Sequence, residues 1–271
     1  MNRETLLEIF DREQRIEVAT FGMRREVTPA VIRFVPEPGF GGRGFISYSK
    51  LTAENADAAI REEIATFEGL GASCEWKAYA HDTPPDLLDR LKAHGFEIEE
   101  PEAVLVLDLE DLRPASVYRV ALWQPQAHDI RRITDPAGLA EVFSVHKQVR
   151  GAEEASWLAE QLTQEMQGTG NGISFYVARV DGVPAASGWI RFHPRSSFAS
   201  LWGGSTVPEQ RRRGLYTALL AVRAQEARRR GYRFLTIDAS PMSRPICEKH
   251  GFRFLTYAHE CVWRSDLRLK P

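Results

Sequence analysis

The chain has few cysteines, and their placement is uninformative for metal binding. Cys74, Cys247 and Cys261 are the only three among 271 residues, and no two of them stand at CxxC spacing. A sparse, odd set argues against a disulfide framework and against a structural zinc site. None of the seven histidines forms a pair four residues apart around a carboxylate, so we expect no metal. Free cysteines are typical of a reducing compartment, and the expected location is cytoplasmic.

Long apolar runs and an excess of charge of one sign are also missing. No stretch approaches the roughly 18 apolar residues that a membrane helix needs. The first residues, MNRETLLEIFDREQRIE, contain acids and do not resemble a secretory signal. Lys and Arg number 35 against 37 for Asp and Glu, whereas a dedicated nucleic-acid binder is usually strongly basic. We therefore expect neither a nucleic-acid nor a membrane partner. We also expect the protein to be a monomer or a homodimer.

The composition is that of an ordinary globular protein, and the apolar pattern predicts an α/β fold. Hydrophobic residues make up 43% and charged residues 27%, over a length that suits one or two domains. The second half reads β-α-α-β-β-β-α-β-α-β, with a DG turn between two strands that indicates a hairpin. We predict a mixed, mostly antiparallel central sheet flanked by helices. The strands are expected at 130–134, 173–180, 183–192, 197–207 and 233–239, with a helix at 215–230.

The two halves of the chain repeat at an offset of 156 residues. Ser49 falls on Ser205, Asp82 on Asp238, and His94-Gly95-Phe96 on His250-Gly251-Phe252. We interpret this as a duplication, with one domain at 1–115, a linker near 111–119, and a second domain at 116–271. The alternative is two unrelated α/β domains that both end a helix with Gly-Phe.

The segment Val207–Leu220, VPEQRRRGLYTALL, indicates a phosphate site. A strand ends, a basic turn follows, and a helix begins, which leaves free backbone amides at a helix N-terminus. Gly214 allows close approach, and the three arginines before it supply positive charge. A solvated helix start is the alternative, but cations there oppose the helix dipole. The spacing fits neither GxxxxGK[ST] nor a three-glycine dinucleotide fingerprint.

This segment resembles motif A of the GNAT superfamily of acyl-CoA-dependent N-acetyltransferases. The match lies in Arg211–Tyr216, RRRGLY, and the later Cys247–Phe252, CEKHGF, is similar to the closing helix of that family. The resemblance covers about residues 128–264. It implies a GNAT-like fold in two similar tandem domains, with acetyl-CoA as acyl donor.

The resemblance also implies where the donor binds. The pantetheine would lie between two splayed strands, 197–207 and 233–239, with Gly203-Gly204 providing a bulge. Backbone groups near Thr206 and Val207 would hold the pantetheine, and the turn and first helical amides would hold the pyrophosphate. The implied acyl-CoA residues are Thr206, Val207, Arg211, Arg212, Arg213, Gly214, Leu215, Tyr216 and Thr217.

The first half resembles a degenerate copy of the same domain. Its counterpart of the phosphate turn is the segment 54–59, where Asn55 replaces an arginine and Ala58 replaces the glycine. Asp57 adds a negative charge that would repel a pyrophosphate. We predict that the first domain does not bind CoA.

The implied reaction is direct attack of a neutral amine on the thioester, which needs a proton donor for the CoA thiolate. Cys247 stands where the family often has a tyrosine, so it is a candidate acid or a packed core cysteine. Tyr216 replaces a small residue of the motif and is a candidate for a chemical role or for packing beside the phosphates. The family's strand glutamate is missing. The candidate bases are therefore His146, Glu153, Glu154 and His193, with relay of the proton by water or a backbone carbonyl as the alternative.

The leading expectation is an N-acetyltransferase acting on the amine of a small metabolite. Two alternatives remain open at this stage. One is a non-catalytic acyl-CoA-binding or sensing protein, and the other is a protein or peptide N-acetyltransferase.

Overall fold

The computed structural model describes residues 1–40, 43–111 and 128–265, and it leaves out the side chains of Glu153, Glu154 and Trp157. The predicted boundary at 115/116 and residues 112–119 of the predicted linker therefore lie outside the described part. The chain divides into two compact units. Unit 1 is Met1–Val104 with the chain end from Leu255, and unit 2 is Leu105–Phe254. No helix in the described ranges is long and apolar enough to cross a membrane.

In the part of the first half that the structure describes, the chain forms six strands and three α-helices. A side chain caps the first helix, because Asn2 Oδ1 accepts a hydrogen bond of 2.8 Å from the Thr5 amide. The elements are α1 (Arg3–Phe10), a π-helix (Asp11–Ile16), β1 (Met23–Val27), β2 (Val31–Pro36), β3 (Gly44–Ser49), α2 (Ala56–Gly69), β4 (Cys74–Tyr79), α3 (Leu87–Ala93), β5 (Glu97–Ile98) and β6 (Glu102–Asp108).

The second half follows the predicted order of elements. Its hairpin turns at Asp181-Gly182, where both residues have positive φ, as a two-residue hairpin loop requires. The elements are β7 (Asp129–Ile133), α4 (Leu139–Arg150), α5 (Ala152–Thr169), β8 (Ile173–Val180), β9 (Val183–Phe192), β10 (Phe198–Thr206), α6 (Leu215–Arg229), β11 (Phe234–Ala239), α7 (Arg244–Lys249) and β12 (Arg253–Trp263).

Each unit contains the same run of strand pairings. In unit 1, β1, β2 and β3 pair antiparallel in turn, and β3 pairs parallel with β4. In unit 2, β8, β9 and β10 pair antiparallel in turn, and β10 pairs parallel with β11. The mixed, mostly antiparallel sheet and the tandem repeat predicted from the sequence are therefore confirmed.

The last strand of each half belongs to the unit of the other half. In unit 1, β12 pairs antiparallel with β4, from Ala258 opposite Tyr79 to Trp263 opposite Cys74. In unit 2, β6 lies beside β11, and the Leu109 amide donates to the Arg233 carbonyl at 2.8 Å. Unit 1 is consequently discontinuous in sequence, whereas unit 2 is the continuous segment Leu105–Phe254, and the sequence repeat alone does not reveal this division.

Each unit has its own apolar core. Unit 1 packs Trp76 on β4 with Ile46 on β3 and with Ile60 and Phe67 on α2, all fully buried. Unit 2 packs Phe175 and Trp189 against Leu139 and Val142 on α4 and Leu162 on α5. The unit 1 core includes residues of both strands of its parallel pair, β3 and β4.

The parallel pair of unit 1 is closed by a buried arginine. The β3–β4 ladder ends at Ile46 opposite Trp76. Beyond it, Arg15 of the π-helix donates through Nε to the Ser47 carbonyl at 3.1 Å. Arg15 Nη2 donates to both carboxylate oxygens of Asp82, at 2.7 and 2.9 Å, and Nη1 donates to Asp11 at 2.9 Å. Arg15 thus joins the end of β3 to the residues that follow β4.

Replacing Arg15 with Met should destabilise the protein by about 3–5 kcal/mol, because buried carboxylates lose their cation. Urea unfolding measures this. The matched control is Arg24→Met, which removes an exposed ion pair with Glu26 and should cost at most about 1 kcal/mol. Equal effects of the two substitutions would show that Arg15 does not stabilise the fold.

The contribution of Asp11 to the free energy of unfolding depends on pH in a defined direction. Burial raises the pKa of Asp11, but the His81 hydrogen bond and the Arg15 charge outweigh burial and hold the pKa below its ordinary 3.8. The stabilisation from Asp11 is therefore present above pH 3.8 and is lost as the pH falls through the lower folded value. Asp11→Asn should weaken this acid-dependent loss of stability.

Candidate active site

A gap opens between β10 and β11 in unit 2. Their parallel ladder pairs Phe198 with Phe234, and its last pair in the described chain is Ser200 with Thr236. Strand β10 then continues to Thr206 and β11 to Ala239. The two strands diverge at the point where the sequence analysis expects a splay.

A β-bulge in β10 lies at the mouth of this gap. The register between β10 and β9 shifts between Trp202 and Ser205. Gly203 has a φ of +59°, and a Cβ there would lie 1.8 Å from the Trp189 ring. A Cβ on Gly204 would lie 2.8 Å from the Tyr216 ring. Both glycines are required, one on each face of the sheet, and the expected Gly203-Gly204 bulge is confirmed.

The backbone of Thr206 faces the gap, whereas that of Val207 does not. The Val207 amide donates to the Ala185 carbonyl of β9 at 2.9 Å. Hydrogen-bonding groups alternate along an antiparallel strand, so the amide and carbonyl of Thr206 point away from β9. The Val207 amide is therefore already paired with β9, which makes Thr206 the stronger candidate contact for pantetheine, and the assignment of Val207 stays a prediction.

The turn after β10 presents backbone amides at a helix start. Arg212 and Gly214 have positive φ values of 63° and 80°, and α6 begins at Leu215. The first backbone hydrogen bond of the helix runs from the Ala218 amide to the Gly214 carbonyl at 2.9 Å. The amides up to Thr217 precede it, so they lie where a helix offers free donors to an anion.

The side chains of the turn contribute unequally. All three arginines are exposed. Arg211 Nε donates to the Thr206 carbonyl at 3.3 Å, and Arg213 Nη1 donates to Gln210 at 2.6 Å. Leu215 is buried, so only its backbone is available, and the Thr217 hydroxyl pairs with His250 Nε2 at 3.3 Å.

His128 is a residue of the turn region that the sequence analysis missed. Its Nε2 lies 3.4 Å from the position that a Cβ on Gly214 would occupy. His128 precedes β7 and is far from motif A in sequence, so no local pattern points to it.

Tyr216 and Cys247 come together although 31 residues separate them. The Tyr216 hydroxyl lies 3.6 Å from Cys247 Sγ. Burial raises the pKa of the tyrosine hydroxyl, and burial also raises the pKa of the thiol. Both groups therefore stay protonated at neutral pH. The tyrosine on α6 places its hydroxyl beside the position on α7 that the resemblance assigns to an acid.

Two of the candidate bases are already engaged. His146 Nε2 lies 3.1 Å from the Gly203 carbonyl, to which it donates. His193 Nε2 lies 2.7 Å from the Ser200 hydroxyl, and burial lowers the pKa of His193 to about 4. A group with that pKa is neutral at pH 7 but weakly basic. The side chains of Glu153 and Glu154 lie outside the described residues.

The counterpart of the turn in unit 1 has a different form. Asn55 has a φ of −103°, and α2 begins directly after it. Asp57 is not a free charge, because it accepts hydrogen bonds from Arg90 and from His94 at 2.9 Å. Ala58, at the position of Gly214, is exposed. His94 and His250 thus both reach from their repeat positions to the start of a neighbouring helix.

Alanine at the bulge glycines should destabilise unit 2 in a fixed order. Gly203→Ala combines a positive φ with overlap on Trp189 and should cost about 3 kcal/mol. Gly204→Ala should cost less, about 1–2 kcal/mol, since the Tyr216 ring is farther away. Gly182→Ala is the control, with positive φ and open space, and should cost about 1 kcal/mol. Urea unfolding measures the order. Equal losses of stability at all three positions would contradict the interpretation that the bulge requires glycine at positions 203 and 204.

Comparison with known proteins agrees with this geometry. Residues 127–252 match the Acetyltransferase (GNAT) family. No curated protein sequence matches the chain.

Several solved structures share the fold over nearly the whole chain. A GCN5-related N-acetyltransferase from Kribbella flavida is 14% identical, with a TM-score of 0.64, covering 96% of this chain and 93% of that one. A tandem GNAT protein from the clavulanic acid biosynthesis pathway is 13% identical, with a TM-score of 0.58 and the same coverage. A functionally unknown conserved protein from Staphylococcus epidermidis is 11% identical, with a TM-score of 0.66, covering 96% and 99%.

Proposed function

Residues 127–252 belong to the GNAT family of acetyltransferases, and from this we propose that the chain transfers an acetyl group from acetyl-CoA to the amine of a small metabolite. One observation carries the proposal. The gap between β10 and β11 opens next to the turn at Gly214, which presents helix-start amides and three arginines. A pantetheine arm and a pyrophosphate need these two features side by side.

We place one acyl donor in each chain, in unit 2. Charge-assisted hydrogen bonds from the turn to a pyrophosphate would each contribute roughly 1.5–3 kcal/mol. The backbone of Thr206 would pair with the pantetheine as a neighbouring strand would. In unit 1 the equivalent gap holds Arg15, and the equivalent turn lacks the glycine. These differences support the prediction that unit 1 does not bind CoA.

In the proposed reaction, the lone pair of the acceptor nitrogen forms a bond to the thioester carbon. The carbonyl π electrons move to oxygen, and they return as the C–S bond breaks. The electrons of that bond leave with sulfur, and the Tyr216 hydroxyl gives the sulfur its proton. The proton lost by the amine replaces it through solvent.

Tyr216 is the preferred proton donor over Cys247. Its hydroxyl is carried by the helix whose first turn holds the proposed phosphate site, and it lies 3.6 Å from Cys247 Sγ. Tyr216 is half-buried, whereas Cys247 is fully buried and reaches substrate less readily. The cysteine then packs against the acid and takes no part in the proton transfer.

A protein with the same fold supports a small acceptor. This tandem GNAT protein comes from the clavulanic acid biosynthesis pathway. A peptide N-acetyltransferase is the alternative, and a screen that contains both free amines and N-terminal peptides separates the two.

Acetyl-CoA at 100 times its dissociation constant should stabilise the protein by about 2.7 kcal/mol. Gly214→Glu should abolish this stabilisation, because the side chain is strained at positive φ and its charge repels the pyrophosphate. The matched control is Ala58→Glu at the same repeat position of unit 1, which should leave it intact. Urea unfolding with and without acetyl-CoA makes the comparison. Persistence of the effect in Gly214→Glu would place the donor elsewhere.

Tyr216→Phe should lower kcat by roughly 100-fold or more while the dissociation constant for acetyl-CoA stays the same. Cys247→Ser should keep most of the activity. Because burial raises the pKa of Tyr216, the acid stays protonated and the rate should rise with pH as the acceptor amine loses its proton. Release of free thiol over pH 6–9 measures this.

The opposite pattern, with Cys247→Ser inactive and Tyr216→Phe active, would assign the acid to the cysteine. Tight binding of acetyl-CoA with no thiol release for any acceptor would instead indicate a binding or sensing protein.

A further inference from the structure

Arg223 is a fully buried cation on the third turn of α6. Its Nε donates to the Leu219 carbonyl at 2.9 Å. Its Nη1 donates to the Trp189 carbonyl at 3.2 Å and to the Trp202 carbonyl at 3.3 Å. Within the described residues, Nη2 has no hydrogen-bond partner, and the acceptors found for Arg223 are backbone carbonyls. Burying a guanidinium without a carboxylate partner destabilises the fold, so a buried arginine at position 223 indicates a specific role.

Of the carbonyls that Arg223 contacts, that of Trp202 lies on β10 at the bulge, and that of Trp189 lies on β9 opposite Trp202. A bulge takes backbone groups out of the strand ladder, and these groups then need other partners. Trp202 is the last residue in register before the shift. A Cβ on Gly188 of β9 would lie 2.9 Å from Arg223 Nη1, which places the guanidinium against the α6 face of the sheet.

His146 contacts the same bulge from the opposite face. It lies on α4, is buried, and donates from Nε2 to the Gly203 carbonyl at 3.1 Å. Its ring is 5.3 Å from the Trp189 ring, which packs in the core under α4. The carbonyls of two successive residues, Trp202 and Gly203, are therefore each held by a side chain from a different helix.

We propose that Arg223 and His146 clamp the β10 bulge and are positioning residues for acetyl transfer. A peptide group is planar, with its N–H opposite its C=O. Holding the Trp202 and Gly203 carbonyls therefore also fixes the amides of Gly203 and Gly204, at the mouth of the gap where the thioester would lie. The inference rests on the proposed function.

The charge of Arg223 has a second consequence at the same place. It lowers the pKa of Tyr216 and that of Cys247, against the larger effect of burial, which raises both. A cation beneath these groups also stabilises negative charge that forms on a departing thiolate. The arginine thus acts on the reaction through the bulge and through its field, without touching the substrate.

A merely structural arginine would lower stability, donor binding and rate together. The clamp instead predicts that the rate falls while donor binding stays nearly unchanged. Arg223→Met and His146→Leu should lower kcat at least tenfold, with the dissociation constant for CoA within threefold of wild type. Arg223→Lys and His146→Gln, which keep a donor, should recover part of the loss. Arg230→Met, at the C-cap of the same helix and bonded to Glu226 and Asn171, is the control and should behave as wild type.

The double variant Arg223→Met/His146→Leu tests whether the two residues share one target. Both act on the same bulge from opposite faces, so the loss in the double variant should be close to that of the worse single variant. If the fold-decrease in kcat of the double variant equals the product of the two single fold-decreases, the residues act independently, and this would overturn the clamp.

Glycine-selective ¹⁵N labelling gives a readout that does not depend on turnover. In Arg223→Met and in His146→Leu, the amide resonances of Gly203 and Gly204 should move or broaden, while that of Gly182 stays in place. Unchanged resonances at Gly203 and Gly204 would overturn the proposal, as would wild-type kcat in both variants. If Arg223→Met does not fold, the comparison of His146→Leu with His146→Gln tests the proposal. If wild type releases no thiol from acetyl-CoA, the proposed function fails, and the resonances still decide the clamp.

Discussion

The divergence of two parallel strands is the constraint on which the rest of this structure depends. In unit 2 the ladder between β10 and β11 stops at Ser200 and Thr236, and in unit 1 the ladder between β3 and β4 stops at Ile46 and Trp76. Beyond those pairs, backbone groups lack their strand partners and must find others. Unit 1 supplies an internal partner, Arg15. Unit 2 leaves the gap beside a phosphate-type turn, and we assign it to acetyl-CoA.

The features that the sequence predicts well are local ones. The turn at Gly214 and the hairpin at Asp181-Gly182 depend on positive φ, which restricts the residue type strongly. The Gly203-Gly204 bulge is visible for the same reason. Strand β1 is missed because its sequence, MRREV, is mostly charged and partly exposed at a sheet edge. The exchange of β6 and β12 between units leaves no trace in the repeat, because the two strands occupy equivalent positions in it.

The side-chain contacts that matter most for the mechanism were not predictable from the sequence. Tyr216 and Cys247 are 31 residues apart, and only the packing of α6 on α7 places the hydroxyl beside the thiol. Arg223 stands in a run of helix-forming residues, where an arginine is usually solvated. Its contact with the bulge appears only when α6 lies across β9 and β10. Sequence reasoning therefore reaches the proposed donor site and leaves the proposed acid and positioning residues open.

The central claim is that unit 2 binds acetyl-CoA in its strand gap, whereas unit 1 has closed its equivalent gap. Hydrogen–deuterium exchange with and without acetyl-CoA tests both parts at once. We predict slower exchange at Thr206 and over residues 213–217, with no change over residues 47–50 and 54–61. Protection in the unit 1 segments, or none in the unit 2 segments, would contradict this account.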